Sequence, residues 1–328
     1  MNITSQTNNL TIAQASEKTC LIKNEIHKTF IGQTDLVDKA LITLIAEGHL
    51  LVEGVPGLGK TLLVRSIAAA LSAQAMRIQF TPDLMPSDIT GNIMLDSTGA
   101  NFITKKGPVF TNILIADEIN RAPAKTQSAL FEAMQEYQVS LDGVSYELPR
   151  PFMVLATENP LEHEGTYPLP DAQKDRFLMK VLVPYPTAEE EKEMSRMVLS
   201  ENSGSKLSVA NINAVTNPQE FAAIQNAANT VNIDDAIIDY ASRLTRATRN
   251  ISTLQTGAGP RGTLALLRCA RAKALIEDRS FVIPDDLKAL ALNILPHRIT
   301  LSAESELEGR TELQIVEDII SSTAAPRT

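Results

Sequence analysis

The chain reads Gly54-Val55-Pro56-Gly57-Leu58-Gly59-Lys60-Thr61 directly after an apolar run, Leu50 to Glu53, and directly before an Ala- and Leu-rich segment that starts at Leu62. This succession of a strand, a glycine-rich loop and a helix is typical of a phosphate-binding loop. The glycines let consecutive backbone N–H groups face one anion, and the N-terminus of the following helix adds its partial positive charge. The sequence therefore predicts a nucleotide phosphate site; the alternative is a glycine-rich turn that binds no ligand.

Two side chains of this loop have predicted contacts of their own. The Lys60 ammonium should reach the β and γ phosphates, and the Thr61 hydroxyl should complete the coordination shell of Mg²⁺. The expected ligands are ATP and Mg²⁺, although the loop by itself suits GTP as well. The residues expected to line the site are Gly54, Pro56, Gly57, Leu58, Gly59, Lys60, Thr61 and Leu62.

A pair of acidic residues follows a second apolar run, Ile113-Leu114-Ile115-Ala116-Asp117-Glu118. Ligands of open α/β sheets bind at the carboxyl ends of strands, which is where this pair would lie. Asp117 is placed to hold Mg²⁺ through its water shell, and Glu118 is placed to polarise the water that attacks the γ phosphorus. The alternative is that the pair only caps a following helix.

Apolar runs alternate with helical stretches from about residue 48 to residue 185, and this alternation predicts an α/β fold. Five runs are apolar enough to be parallel strands buried on both faces. After Pro186 we expect no further strand, since Thr187-Ala188-Glu189-Glu190 is a capping box that opens a charged helix. The prediction is a P-loop core with a five-stranded parallel sheet flanked by helices (residues 1–186) and an all-helical C-terminal domain of at least four helices (residues 187–328). The predicted strands are Leu50 to Glu53, Met76 to Phe80, Ile113 to Asp117, Met153 to Thr157 and Leu178 to Val183.

The composition limits the remaining possibilities. A length of 328 residues favours two domains, and no apolar run approaches the roughly 20 residues that cross a bilayer, so we expect no membrane insertion. The N-terminus resembles neither a signal nor a transit peptide, so we expect a cytoplasmic protein. Cys20 and Cys269 have no partners at metal-ligand spacing and are expected to be reduced thiols. The net charge of −9 makes nucleic acid an unlikely main partner.

Four stretches together resemble the AAA+ ATPases, and within them the MoxR family, in the branch that also contains the magnesium-chelatase motor subunit. The likeness covers about residues 25 to 315, and Gly257 to Arg261 and Leu295 to Ile299 resemble the helical lid of the family. The four stretches are Gly54 to Thr61, Ala116-Asp117-Glu118-Ile119-Asn120-Arg121, Ala156-Thr157-Glu158-Asn159-Pro160 and Leu169-Pro170-Asp171-Ala172-Gln173-Lys174-Asp175-Arg176-Phe177.

The resemblance implies roles for three more residues. Asn159 is similar to the first sensor, which orients the attacking water together with Glu118; otherwise it is a turn residue before Pro160. Arg176 is similar to the arginine finger that enters the ATP site of a neighbouring subunit; otherwise it forms a surface pair with Asp175. Arg261 is similar to the second sensor, a lid cation that contacts the γ phosphate; otherwise it only solvates a helix start.

The resemblance also implies an assembly and a type of activity. We expect a homo-oligomeric, hexameric ring that remodels a protein client in a chaperone-like way, and in this family the client is typically a protein with a von Willebrand factor A domain. Two inserted hairpins, Asn92 to Phe110 and Gln138 to Leu148, either contact the client or only pad the ring. Ile31-Gly32-Gln33 resembles the segment near adenine. The alternatives are an ATP-dependent nucleic-acid motor and a nucleotide-gated assembly switch with little turnover.

Overall fold

A five-stranded parallel sheet forms the centre of the first domain in this computed structural model, which describes residues 10–54, 57–95, 102–159, 166–200 and 209–326. The strand order is β2-β5-β8-β1-β9. The elements up to the last strand of this sheet are α1 (Ile12–His27), α2 (Thr34–Ile45), β1 (Leu50–Glu53), α3 (Lys60–Ala70), β2 (Ala75–Gln79), α4 (Pro86–Thr90), β3 (Gly91–Leu95), β4 (Phe102–Lys106), β5 (Ile113–Asp117), α5 (Ala124–Glu136), β6 (Gln138–Leu141), β7 (Val144–Glu147), β8 (Met153–Glu158), α6 (Asp171–Lys174) and β9 (Met179–Leu182).

The five predicted strands are confirmed, with ends that differ by no more than one residue. Alternate side chains enter different cores: Leu50 and Val52 of β1 lie in one apolar cluster, whereas Leu51 lies in the other. β5 and β8 follow the same alternation. The three central strands β5, β8 and β1 are therefore buried on both faces, which explains why their sequences are almost continuously apolar. The edge strand β2 differs, because it exposes Met76, Arg77 and Gln79.

Parallel pairing of all five strands brings their carboxyl ends to one edge of the sheet. Gly54 follows β1, Asp117 ends β5 and Asn159 follows β8, so the three predicted site segments meet at this edge. In this strand order β1, which carries the phosphate loop, lies beside β8, and β8 separates it from β5.

The C-terminal part of the chain is helical apart from one short pair of strands. The prediction that no strand follows Pro186 is wrong, because β10 pairs antiparallel with β11. These segments have only three and two residues, too few to show an alternation of polar and apolar side chains. The elements are α7 (Ala188–Ser200), α8 (Pro218–Asn229), α9 (Asp235–Ala247), β10 (Leu254–Thr256), α10 (Pro260–Ile276), α11 (Pro284–Ile294), a 3₁₀ turn (Pro296–Arg298), β11 (Thr300–Leu301), α12 (Ala303–Leu307) and α13 (Glu312–Ser322).

Capping side chains begin two of these helices, and the first of them is the predicted capping box. The Thr187 hydroxyl accepts from the Glu190 backbone N–H, and Glu190 Oε2 accepts from the Thr187 N–H at 2.8 Å. Asn217 caps α8 by accepting from the Glu220 N–H. Each cap satisfies N–H groups that have no partner inside the helix, and such caps stabilise a helix by about 1 kcal/mol.

The N-terminal helices join the two parts of the chain. α1 packs against α3 of the first domain and also against α8 and α10. Ala15 and Ile26 share one apolar cluster with Leu266 and Cys269 of α10. The domain boundary at residue 186 stays a prediction. The N-terminal helices contact elements on both sides of it.

Two antiparallel hairpins stand outside the central sheet at the positions that the sequence predicts. β3 pairs with β4, and the expected turn at Asp96 to Gly99 lies outside the described residues. β6 pairs with β7 through Asp142 and Gly143, whose φ values are 48° and 78°. Two consecutive positive φ values are typical of the two-residue turn that matches strand twist. In the part of the chain that the structure describes, no helix has the length and apolar character to cross a membrane.

His49 generates a prediction about stability, since it is buried immediately before β1. Nε2–H donates to the Met134 carbonyl at 2.9 Å and Nδ1 accepts from the Val154 N–H at 3.0 Å, a pattern that needs a neutral ring. Burial lowers the pKa of His49 to about 4. In the unfolded chain the histidine pKa is about 6.5, so between about pH 6.5 and pH 4 the unfolded chain binds a proton at His49 and the folded chain does not. The contribution of neutral His49 to the free energy of unfolding is therefore complete above about pH 6.5 and is lost as the pH falls toward 4.

We therefore expect His49→Gln to unfold with a shallower pH dependence than the wild type between pH 7 and pH 4.5. The difference over the full window is on the order of 3 kcal/mol, from a pKa shift of about two to three units. Thermal melts of both proteins at several pH values measure it. If the stabilities of the two proteins changed with pH by the same amount, His49 would not be the cause of the pH dependence.

Candidate functional site

The phosphate loop has the backbone that an anion site requires. Gly57 and Gly59 have φ values of 90° and 75°, in the left-handed region that favours glycine. Gly59 is the N-cap of α3, and among the described residues no side-chain capping hydrogen bond is made to the N–H groups at this helix start. These donors are therefore left to a ligand at the positive end of the helix dipole. Val55 and Pro56 lie outside the described residues, so the predicted contact of Pro56 is not tested.

Lys60 is held inside the loop by the Gly54 carbonyl, to which Nζ donates at 2.7 Å. Burial lowers the pKa of Lys60, and the carboxylates of Asp117 and Glu118 act in the opposite direction. All three side chains line a cavity of about 240 Å³ at the carboxyl edge of the sheet. One positive and two negative charges share this partly buried space, so a polyanion is accommodated beside the two carboxylates only when it brings its own cation.

Asp117 is positioned by hydrogen bonds from both neighbouring strands. Oδ1 accepts from the Thr157 hydroxyl of β8 at 2.6 Å, and Oδ2 accepts from Arg77 Nη2 of β2 at 2.6 Å. The Thr157 oxygen also accepts from the Glu118 backbone N–H at 2.8 Å. One hydroxyl therefore fixes both acidic residues, and the carboxylate of Asp117 points into the cavity with a defined orientation.

Glu118 departs from the regular strand. Its φ of 54° lies in the left-handed region, which costs about 1–3 kcal/mol in a non-glycine residue and is typical of functional sites. Oε2 accepts from Gln79 Nε2 at 2.8 Å and lies 2.9 Å from Arg121 Nε. The strained backbone turns the side chain away from the sheet and toward the cavity that Lys60 also lines.

Asn159, which follows β8, lines the same cavity and is 7% exposed. Lys60, Thr61, Asp117, Glu118 and Asn159, predicted from three separate segments, thus meet at one place. In the described residues no three His, Cys, Asp or Glu side chains form a metal-binding group. Mg²⁺ in a nucleotide site takes one or two protein oxygens and fills its shell with phosphates and water, and the side chains of Thr61 and Asp117 both line this cavity.

A second cavity, of about 280 Å³, adjoins the other side of the phosphate loop. Its lining is mainly apolar and includes Phe30, Leu62 and Met194. Ile31 and Gln33, which resemble the adenine-side segment, also line it. Gln33 Oε1 is buried without a hydrogen-bond partner among the described residues, so it leaves an acceptor at this cavity that no protein group uses there. Leu62 contributes to this cavity and not to the one around Lys60.

Arg176 and Arg261 lie at the opposite edge of the sheet. They line a cavity of about 320 Å³ with Gly48 and Leu178, which precede β1 and β9. β1 has four residues and is about 13 Å long, so the two arginines and the phosphate loop of the same chain lie at opposite ends of the strand. The expected surface pair of Arg176 with Asp175 is not seen, because Arg176 Nη1 donates to Gln135 Oε1, and Asp175 pairs with Arg261 and Arg298.

Several residues of the site were not predicted. The roles of Arg77 and Gln79 depend on β2 lying next to β5, and the sequence does not give this strand order. The sequence gives one indication of these roles: Arg77 and Gln79 are two residues apart, so their polar side chains share one face of a strand whose other residues are apolar. Thr157 stands inside a stretch that was singled out for Asn159, yet its hydroxyl makes the contacts that fix Asp117 and Glu118.

A phosphate loop on the first strand of a parallel sheet, with an acidic pair on a neighbouring strand, defines the class of P-loop nucleotide-binding proteins. Residues 49–179 match the family model described as "ATPase family associated with various cellular activities (AAA)", and residues 246–319 match the AAA lid domain.

Comparison with similar proteins identifies the family within this class. It is 43% identical to the protein YeaC of Bacillus subtilis, over 92% of each chain. It is 39% identical to Chaperone MoxR1 of Mycobacterium tuberculosis, over 92% of this chain and 81% of that protein. A crystal structure of a proposed ATPase from Cytophaga hutchinsonii superposes with a TM-score of 0.90 at 40% identity, covering 96% of this chain and 97% of the other. The chain belongs to the MoxR family of AAA+ ATPases.

The bridging hydroxyl of Thr157 generates a prediction with a matched control. Thr157→Val keeps the size of the side chain but leaves the Glu118 N–H and Asp117 Oδ1 without their partner, and a lost hydrogen bond to a charged group costs about 1.5–3 kcal/mol. We expect ATP turnover to fall roughly ten- to a hundredfold, with little change in KM. Thr157→Ser keeps the hydroxyl and should retain most of the turnover. Equal activities for the two variants in steady-state assays would exclude this role.

Proposed function

We propose that this protein hydrolyses ATP with Mg²⁺ and uses the cycle to remodel a protein partner. The observation that carries the proposal is the meeting of Lys60, Asp117, Glu118 and Asn159 in one cavity beside an uncapped helix start. A phosphate-binding cation, a metal-binding carboxylate, a second carboxylate and a neutral amide are the groups that attack by water on a γ phosphate requires.

The chain's own groups divide the work as follows. The loop N–H groups and Lys60 bind the phosphates. Thr61 and Asp117 would hold Mg²⁺, which would neutralise charge on the phosphate oxygens. Glu118 accepts the proton of the attacking water, and Asn159 orients that water. To do this, Glu118 Oε2 must exchange its present partners, Gln79 and Arg121, for the water.

The position of the arginines supports a site shared between subunits. Arg176 and Arg261 lie at the amino edge of the sheet, too far from the loop of their own chain to contact its γ phosphate. In a ring, this edge of one subunit would face the carboxyl edge of the next, so both cations would be supplied in trans. Such a cation accelerates phosphoryl transfer by roughly 10³ to 10⁵. We propose a hexameric ring.

A protein client is favoured over nucleic acid. One relative is named a chaperone, and the net charge of −9 opposes a phosphate-tracking surface. The β3–β4 hairpin exposes Leu95 and Phe102, the latter by 78%, and apolar side chains of this kind suit contact with a protein. We propose a cytoplasmic protein that acts on a client with a von Willebrand factor A domain. The presence of Glu118 beside the phosphate site argues against an assembly switch without turnover.

Substitution of the two central charges tests hydrolysis. Lys60→Ala should weaken ATP binding, because the phosphates lose their cation. Glu118→Gln should keep ATP binding and lower turnover by roughly 10² to 10⁴, the usual contribution of a general base. Glu308→Gln replaces an exposed carboxylate of the lid, is the matched control and should have unchanged turnover. Unchanged steady-state turnover in either site variant would refute the proposed catalysis.

The Glu118→Gln variant, held in its ATP-bound state, also serves to capture the client. Recovery of only nucleic acid on this variant would refute a protein client.

Mixing two inactive variants tests the shared site. Arg176→Ala lacks the finger but keeps the loop, and Lys60→Ala lacks the loop lysine but keeps the finger. Each alone should be nearly inactive, and an equal mixture should regain roughly a quarter of the wild-type rate, because random assembly places an intact loop beside an intact finger at about one interface in four. A mixture no more active than its components would contradict a finger supplied in trans.

A further inference from the structure

Arg298 is a charged residue that the proposed catalysis does not use, although it lies beside the residues that do. It ends the 3₁₀ turn Pro296–Arg298 of the lid, and its side chain is only 3% exposed. A buried guanidinium is tolerated only where a counter-charge and hydrogen-bond acceptors replace water. Those acceptors show what the residue holds in place.

Most of the acceptors lie on the segment that carries the proposed finger. Nη2 donates to the Phe177 carbonyl at 2.6 Å and to the Asp175 carbonyl at 3.5 Å. Nη1 donates to the Leu178 carbonyl at 3.4 Å and to the Ile294 carbonyl of the lid. Arg298 thus bonds the backbone on both sides of residue 176 and ties it to the end of α11.

The carboxylate of Asp175 extends this contact to the second proposed sensor. Oδ1 accepts from Arg298 Nε at 3.0 Å, and Oδ2 lies 3.4 Å from Arg261 Nη1. One carboxylate therefore joins the buried arginine to Arg261, and the next residue along the chain is Arg176. The two arginines that are proposed to enter a neighbouring site share one support.

We propose that Arg298 is a positioning residue that fixes Arg176 and Arg261 relative to each other, so that a movement of the lid moves the finger segment with it. The inference rests on the proposed shared site. It requires the planar fork of an arginine, since a lysine ammonium cannot bond Asp175 Oδ1 and the carbonyls of Phe177 and Ile294 together.

Arg298→Lys, which keeps the charge and loses the fork, tests the inference. We expect turnover to fall roughly ten- to a hundredfold, because a misplacement of about 1 Å at a reacting group has an effect of that size, while the affinity for a fluorescent ATP analogue stays within about twofold. Arg243→Lys, an exposed lid arginine paired with Asp239, is the matched control and should keep wild-type turnover.

Mixing experiments separate positioning from general damage. Arg298→Lys with Lys60→Ala should regain activity, because the Lys60→Ala subunit supplies a well-placed finger to an intact loop. Arg298→Lys with Arg176→Ala should regain none, since both lack a working finger. If Arg176→Ala recovers with Lys60→Ala and Arg298→Lys does not, the inference is overturned and the shared site stands. If neither recovers, the shared site fails, and the inference fails with it.

A second variant covers the possibility that Arg298→Lys does not fold. Asp175→Asn keeps the size of the side chain and removes the charge that Arg298 and Arg261 share. It should show the same loss of turnover, the same nucleotide affinity and the same recovery with Lys60→Ala. Wild-type turnover in a folded variant of either kind would overturn the proposal.

Discussion

The parallel alignment of five strands is the constraint on which the rest of the structure depends. Because every strand runs in the same direction, the segments after β1, β5 and β8 meet at one edge, and the segments before β1 and β9 meet at the other. The first edge carries the phosphate loop, the acidic pair and Asn159. The second carries Arg176 and Arg261. A single sheet thus separates the two sets of charged groups to which we assign the phosphoryl transfer, and under the proposed assembly a second copy of the chain reunites them.

The sequence predicts the features that depend on local chemistry. Gly54 to Thr61 needs only its own glycines and the helix that follows, and both are in the structure. The central strands β1, β5 and β8 are recognisable because burial on both faces makes them almost continuously apolar, whereas the edge strand β2 carries Arg77 and Gln79. The convergence of Lys60, Asp117 and Glu118 is predictable as well, since strand ends of a parallel sheet share an edge whatever the order of the strands.

The remaining features depend on contacts between distant segments. Arg77 and Gln79 reach the acidic pair only because β2 lies beside β5, and Thr157 bridges Asp117 and Glu118 only because β8 lies on the other side. The packing of α1 on α10 joins residues that are far apart in sequence, and β10 and β11 are too short to leave a pattern. The position of Arg261 depends on how the lid meets the core, which no local motif encodes.

The central claim is that a working site needs groups from two subunits. Residues of one chain line the two cavities beside the phosphate loop, whereas both proposed trans cations lie at the far edge. The most direct measurement is ATP turnover per subunit across a dilution series, followed together with assembly mass. We expect turnover per subunit to rise with protein concentration in step with assembly, and to be low in the dilute monomer. A monomer that hydrolyses ATP at the full rate of the assembly would contradict it.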